Sequence, residues 1–268
     1  MAFLLRNIIM LPFPCYNIHM HIKTVGTGSI AVRQRSACTL IDGQILVDCG
    51  NGIVKTLLQQ GIDLHKIHTI LITHLHGDHF LDLPFLILQH ARDSALPPMR
   101  IIGPRRIQEI VGAIGQLIFS DEDWQDTCAR SGCSFQEVSN LEPITRYDYQ
   151  ITPMELAHGN LHPAYGYMLS DAKIAIGISG DTTMCPAVED LLAHTDLSVL
   201  DATWVDSTTS HLGIKQVQQL ADQYQKPIIA THLSDPARAY AVSHPHPLVT
   251  IPEDGDEFET DALLRPRA

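Results

Sequence analysis

The sequence has too few cysteines for a disulfide-stabilised fold. Its six cysteines include no C-x-x-C pair and lack the density of small secreted domains. We therefore expect reduced cysteines in a cytoplasmic protein, with Cys128 and Cys133 as a minor alternative pair. An uninterrupted apolar stretch long enough to span a membrane is also absent, so we expect no membrane contact.

Positive charge is scarce as well. Eighteen lysines and arginines stand against 30 aspartates and glutamates, which gives a formal net charge of −12. A broad surface that binds nucleic acid by neutralising phosphates is therefore disfavoured, although local attraction of a nucleic acid remains open.

Linker-like runs, internal repeats and low-complexity tracts are missing from the 268 residues. We interpret residues 1–268 as a single domain with its core at about residues 20–258. Residues 1–19 are apolar but interrupted by prolines. Either translation begins at Met20, or these residues form a surface extension.

Histidine, in contrast, is concentrated after one apolar segment. The run Ile70-Leu71-Ile72 predicts a buried strand, and His74, His76, Asp78 and His79 follow it within six positions. Imidazole nitrogens and carboxylate oxygens are donors that Zn²⁺ and similar cations prefer. This cluster predicts a metal site, whereas isolated pairs such as His19/His21, His65/His68 and His244/His246 are more typical of solvated side chains.

Four further apolar segments lead to residues of the same chemical kind. Residues 151–157, 174–178, 197–200 and 228–230 read as strands, and they lead to His158, Asp181, Asp201 and His232. Sites in layered α/β folds collect at strand ends, where loops meet over a rigid sheet. We therefore expect these side chains to join the early histidine cluster.

The remaining elements follow from periodicity and turn residues. Strands are predicted at residues 21–25 and 100–102, a hairpin at 37–40 and 45–47, and helices at 53–60, 83–91, 105–119 and 213–224. The acidic stretch at 120–135 predicts a solvated loop or helix face.

The ordered motifs resemble a known series. Thr73-His74-Leu75-His76-Gly77-Asp78-His79, then His158, Ser179-Gly180-Asp181-Thr182 and Thr231-His232, are similar to the ligand motifs of the metallo-β-lactamase superfamily. Leu46-Val47-Asp48-Cys49-Gly50 resembles its first aspartate motif. The resemblance covers about residues 20–258 and implies a mixed α/β (α+β) fold, a four-layer αββα sandwich of two mixed sheets with helices outside.

The resemblance also implies two divalent metal ions, with zinc expected and manganese as the alternative. One ion would be held by His74, His76 and His158, and the other by Asp78, His79 and His232, with Asp181 and a hydroxide bridging them. Such a site has a charge of about +1 and would attract an anionic ester. Asp48 would orient a metal-binding histidine from behind.

A further motif narrows the resemblance to one branch. Ser210-His211-Leu212, after Asp201-Ala202-Thr203-Trp204, is similar to the region of the extra histidine in ribonuclease Z and the cyclic-phosphate phosphodiesterases. It implies catalytic residues Asp78, His211 and Asp201, with His211 assisting the leaving oxygen and Asp201 steadying His211. The alternative is that His211 caps the helix at 213–224.

The chain departs from bacterial ribonuclease Z in one interval. That enzyme carries a long tRNA-gripping arm between the third histidine motif and the bridging aspartate, and the interval from His158 to Asp181 has no room for it. We therefore expect a hydrolase of a small or cyclic phosphodiester, with a tRNA 3′-processing endonuclease as the alternative. Arg33, Arg35 and Ser36 would either contact a phosphate or be solvated.

Other functions fit the residues less well. Lactonases of this superfamily carry a tyrosine where this chain has Thr182-Thr183-Met184, and related thioesterases add a helical domain. A non-catalytic metal protein would close its sites with four protein ligands, whereas this donor set leaves positions open. Redox chemistry at a di-iron site would need a flavin domain. Members of the family often form homodimers, but the sequence shows no interface signature.

Overall fold

A computed structural model describes residues 20–264, so the interpretations of residues 1–19 lie outside the described residues. In chain order the strands are β1 (His21–Gly26), β2 (Cys38–Ile41), β3 (Ile45–Val47), β4 (Thr69–Leu71), β5 (Arg100–Gly103), β6 (Ser134–Glu137), β7 (Ile144–Arg146), β8 (Tyr149–His158), β9 (Leu161–Ser170), β10 (Ala175–Ile178), β11 (Leu197–Asp201), β12 (Ile228–Thr231), β13 (Val249–Thr250) and β14 (Glu257–Glu259). The α-helices are α1 (Ile53–Gln59), α2 (Gly77–Phe80), α3 (Leu83–Arg92), α4 (Ile107–Ile118), α5 (Trp124–Ser131), α6 (Pro186–His194), α7 (Ile214–Tyr224), α8 (Asp235–Ser243) and α9 (Thr260–Leu264).

The strands form two mixed sheets of seven strands each. The first has the order β14-β1-β2-β3-β4-β5-β6, and the second has the order β13-β12-β11-β10-β9-β8-β7. The first sheet is antiparallel from β14 to β3 and parallel from β3 to β6. The second is parallel from β13 to β10 and antiparallel from β10 to β7.

Alternating side chains on the central strands divide between separate apolar cores. Ile70 packs on the outer face of the first sheet with side chains of α1, α3 and α4, whereas Leu71 packs with residues of the second sheet. On β11, Val199 faces the first sheet and Leu200 packs against α6 and α7. The layers are therefore helices, sheet, sheet and helices, and the predicted αββα sandwich is confirmed.

Two hydrogen bonds join the sheets beside the histidine cluster. The buried Tyr167 hydroxyl donates to the Ile72 carbonyl at 2.7 Å, and Tyr165 N donates to the Thr73 carbonyl at 2.9 Å. These contacts fix the end of β4 against β9, so the first histidines are held in register with the second sheet.

The acidic segment was predicted only in outline. Its middle forms α5, and Asp123 caps this helix by accepting hydrogen bonds from the backbone N–H groups of Gln125 and Asp126. The strand β6 that follows was not predicted. The thiols of Cys128 and Cys133 are both free. None of the helices between residues 20 and 264 is long and apolar enough to cross a membrane.

Candidate dinuclear metal centre

The early cluster divides into two pairs because the backbone changes conformation inside it. His76 is still extended, with φ −81° and ψ 146°, and α2 begins at the next residue. Asp78 and His79 therefore leave the direction of His74 and His76 and lie on the first turn of a helix. One short segment thus supplies donors to two neighbouring positions.

The first position is formed by three imidazoles. His76 Nδ1 lies 3.1 Å from His74 Nε2 and 3.2 Å from His158 Nε2. Three nitrogens bound to one tetrahedral zinc at about 2.0–2.1 Å are separated by roughly 3.3 Å. Asp181 Oδ2 completes the group at 3.7 Å from His74 Nε2. This arrangement fits a single cation.

The second position joins α2 to the end of β12. Asp78 Oδ2 lies 3.3 Å from His232 Nε2 and 3.6 Å from His79 Nε2. Asp181 Oδ2 is 3.4 Å from His79 Nε2, so this carboxylate reaches both positions. His232 adopts a left-handed backbone conformation, with φ 57°, at the point where its ring turns toward Asp78.

Two buried atoms of the cluster have no hydrogen-bond partner. His79 Nε2 and Asp181 Oδ1 are inaccessible to solvent and accept or donate no hydrogen bond. An unpaired buried polar atom is costly, and a bound cation would satisfy both atoms. The residues present therefore fit two divalent ions.

Electrostatics differ between two histidines of the cluster, since His74 is kept neutral and His79 is kept positively charged. Burial lowers the pKa of His74 well below its ordinary value, and His79 lowers it further. Burial also acts to lower the pKa of His79, but the carboxylates of Asp181 and Asp48 outweigh it and raise that pKa well above the ordinary value. A divalent cation would replace the proton on His79.

Asp48 lies behind the cluster, as a hydrogen-bond acceptor. Its Oδ2 accepts from His79 Nδ1 at 2.7 Å, and its Oδ1 accepts from the backbone N–H of Thr73 at 2.8 Å. Asp48 itself has a left-handed backbone, with φ 65°. The carboxylate therefore orients the ring of His79 and fixes the turn after β4.

His211 and Asp201 form a second hydrogen-bonded pair at the cavity. His211 Nδ1 lies 3.0 Å from Asp201 Oδ2, and Asp201 is buried at the end of β11. Helix α7 is capped by Gly213 without a side-chain bond, so the interpretation of His211 as its cap is wrong. Burial acts to lower the pKa of His211, but the hydrogen bond and charge of Asp201 outweigh it and raise that pKa.

One cavity of about 530 Å³ opens over both groups. Its wall includes His76, Asp78, Asp181, His211 and His232, as well as residues 29–32, Thr203, Trp204 and the start of α8. Sequence reasoning missed Thr203, Trp204 and the loop at 29–32. For Thr203 and Trp204, the signal in the sequence was their position just after Asp201.

The residues considered for phosphate contact lie beside this cavity rather than on its wall. The backbone N–H of Arg35 donates to Asp254 Oδ2 at 2.8 Å, and the buried Ser36 hydroxyl bonds to Asn51. Arg33 is exposed just after the lining loop.

Two histidines of the isolated pairs, His65 and His246, have carboxylate partners elsewhere, and His19 lies outside the described residues. His65 bonds to Asp63 and His246 to Asp222, and within residues 20–264 neither histidine joins a group of possible metal donors.

Comparison with solved structures establishes the fold. A metallo-β-lactamase fold protein, YhfI from Bacillus subtilis, has a TM-score of 0.71 at 17% identity and covers 90% of this chain and 99% of that chain. Human tRNase Z, short form, has a TM-score of 0.69 at 20% identity over 89% of this chain and 98% of that chain. A diphosphatase from the PhnP family has a TM-score of 0.71 at 17% identity, covering 89% and 97%.

Sequence relatives point to the same branch. A ribonuclease Z from Mycolicibacterium gilvum is 28% identical over 65% of this chain and 65% of its own length. The match therefore spans just under two thirds of that relative. A ribonuclease BN from Erwinia tasmaniensis is 26% identical over 80% of this chain and 89% of its own length.

The chain therefore has the metallo-β-lactamase fold, and its sequence is similar to those of ribonucleases Z and BN. The family model described as anti-Pycsar protein Apyc1 matches residues 20–248, and the chain belongs to this family.

Proposed function

We propose that this chain is a dinuclear-metal-dependent phosphodiesterase that acts on a small or cyclic phosphodiester. The observation that carries the proposal is that one cavity is lined by Asp78, Asp181 and His232 of the candidate metal positions and by His211. A phosphate held at these positions would place its ester oxygens within reach of an imidazole.

Each group has a separate task in this proposal. The two cations, zinc with manganese as the alternative, would supply an activated water near neutral pH and neutralise the phosphate. His74, His76 and His158 would hold one ion, Asp78, His79 and His232 the other, and Asp181 both. Because His211 Nδ1 is bonded to Asp201, the remaining ring nitrogen, Nε2, would donate a proton to the departing oxygen.

The preference for a small substrate rests on topology and charge. Strands β9 and β10 occupy the interval between His158 and Asp181, and they leave no room there for a tRNA-binding arm. The net charge of −12 also opposes long-range attraction of RNA. Cleavage of tRNA precursors is therefore the second candidate, favoured by the ribonuclease Z relatives, and lactone or thioester hydrolysis is the third.

The decisive experiment compares metal-free protein with protein reloaded with Zn²⁺ or Mn²⁺. We expect metal-dependent hydrolysis of bis(p-nitrophenyl) phosphate and of one or more cyclic phosphodiesters. A substrate panel would also contain a tRNA precursor, a lactone and a thioester. Hydrolysis of the lactone or thioester alone would contradict the proposal, and cleavage of the tRNA precursor alone would favour the second candidate.

The same preparation tests the remaining proposals about the protein. Metal analysis of protein purified from cells would identify the native ions, and size-exclusion chromatography with light scattering would show whether it is a homodimer. Cell fractionation would test the proposed cytoplasmic location.

A further inference from the structure

We propose that Thr73 and Thr203 are matched positioning residues, each of which fixes one histidine ring so that its Nε2 faces a cation position. The inference rests on the metal centre of the proposed function, but not on its substrate. Neither threonine belongs to the donor groups, and both are almost fully buried, with exposed fractions of 1% and 3%.

The Thr203 hydroxyl lies between a carboxylate and an imidazole. Its Oγ1 is 2.6 Å from Asp201 Oδ1 and 2.7 Å from His232 Nδ1, and His211 Nδ1 lies farther away at 3.1 Å. Asp201 accepts hydrogen bonds from Thr203 N and Thr182 N as well, as expected for an ionised carboxylate that can only accept. The single hydroxyl proton of Thr203 is therefore directed to Asp201.

This assignment fixes the tautomer of His232. A hydroxyl whose proton is already used can only accept from the ring, so His232 Nδ1 must carry the ring proton. The lone pair then lies on Nε2, the atom that is 3.3 Å from Asp78 Oδ2 at the second metal position. The backbone holds the same geometry, because the Thr203 carbonyl accepts from Ser234 N at 3.1 Å.

Thr73 likewise contacts one carboxylate and one metal-facing imidazole, on the other sheet. Its Oγ1 lies 2.9 Å from Asp48 Oδ2 and 3.0 Å from His74 Nδ1, and its N–H donates to Asp48 Oδ1. The same reasoning places the ring proton of His74 on Nδ1 and its lone pair on Nε2. That atom faces His76 Nδ1 at the first metal position.

The two arrangements correspond in position as well as in chemistry. Thr73 stands two residues after the end of β4, and Thr203 stands two residues after the end of β11. Each carboxylate also holds a second imidazole, since Asp48 bonds to His79 and Asp201 bonds to His211. One Asp–Thr–His unit from each sheet thus supports a different cation.

The consequence is a separable effect on the two ions. Replacing either threonine with valine keeps the side-chain volume but leaves a buried imidazole N–H without an acceptor. The ring is then free to change tautomer or rotate. Loss of a hydrogen bond behind a metal ligand typically weakens metal affinity about 10- to 100-fold. We expect Thr73→Val to weaken binding at the first position and Thr203→Val at the second.

The test is a competition titration of metal-free protein with Zn²⁺ against a chelating dye, which needs no substrate. We expect one of the two binding steps to weaken about 10- to 100-fold in each valine variant, and both steps in the double variant. Thr73→Ser and Thr203→Ser keep the hydroxyl and should restore affinity to within about threefold. In a His76→Ala background, which impairs the first position, only Thr203→Val should weaken the remaining step.

Thr195→Val is the matched control. Thr195 is buried, and its hydroxyl bonds to the Leu191 carbonyl and to Ser198, away from the centre. This variant should leave both binding steps unchanged.

Wild-type affinity in both valine variants would overturn the inference. Serine variants that bind as weakly as the valine variants would overturn it as well. The serine variants keep it testable if a valine variant fails to fold. Two normal binding steps without phosphodiester hydrolysis would instead contradict the proposed function alone.

Discussion

The two sheets supply the candidate centre in different ways. The first sheet contributes His74, His76, Asp78 and His79 from one short segment after β4, whereas the second contributes side chains from the ends of β8, β11 and β12 and the turn after β10. The first group is arranged by local backbone geometry. The second group depends on strand register and on how the sheets pack. The second sheet also carries Asp201 at the end of β11, and His211 follows it. Because neither residue is assigned to a metal position, substitutions there should separate metal binding from catalysis more clearly.

Asp181 is where the two contributions meet, so its loss should have the largest effect. Its carboxylate lies within 3.7 Å of His74 Nε2 and within 3.5 Å of His232 Nδ1. We expect Asp181→Ala to lower metal content and to reduce phosphodiester hydrolysis to the rate of the metal-free protein. Metal analysis and initial rates measure both effects.

Asp121→Ala is the control for Asp181→Ala, because Asp121 is an exposed carboxylate outside the centre. It should retain wild-type metal content and rate. Full metal content in the Asp181 variant would show that neither ion depends on the carboxylate shared between the two positions.

His211→Ala should separate chemistry from metal binding within the second sheet. Loss of a general acid typically lowers turnover about 10²- to 10⁴-fold. The donors of both metal positions remain in this variant, so we expect its metal content to be unchanged. His246→Ala removes a partly buried histidine that bonds to Asp222 outside the centre, and it should change neither quantity. A loss of metal from the His211 variant would assign this ring to the ligand set instead.

Asp201→Asn should change the pH dependence rather than abolish the reaction. Burial lowers the pKa of His211, but the hydrogen bond and charge of Asp201 more than offset it, so the folded-state pKa is raised. The proton-donating form is present below that pKa and is lost as pH rises through it. Removing the charge should therefore move the basic limb of the kcat profile to lower pH. An unmoved limb, or one moved to higher pH, would contradict the role of Asp201.

The sequence predicted the first sheet's contribution more completely than the second's. The alternation at Ile70 and Leu71 and the histidine spacing after them are local signals, and local geometry accounts for them. His158 and His232 were indicated by the apolar strands that precede them and by the resemblance of the ordered motifs, not by local spacing. The left-handed backbone of His232 and the hydrogen bonds of Thr203 depend on contacts between segments far apart in sequence. Spacing alone carries no such information.

The smallest predicted effect concerns the contact that holds the two contributions in register. Tyr167→Phe removes the hydroxyl that donates to the Ile72 carbonyl at 2.7 Å between the sheets. A buried hydrogen bond of this kind contributes about 0.5–1.5 kcal/mol to the free energy of unfolding. We expect a loss of this size in urea denaturation of the metal-free protein, with two ions still bound after reloading. Tyr147→Phe, at an exposed tyrosine, is the control. Loss of one ion from the Tyr167 variant would mean that sheet register, and not only the ligand side chains, determines metal affinity.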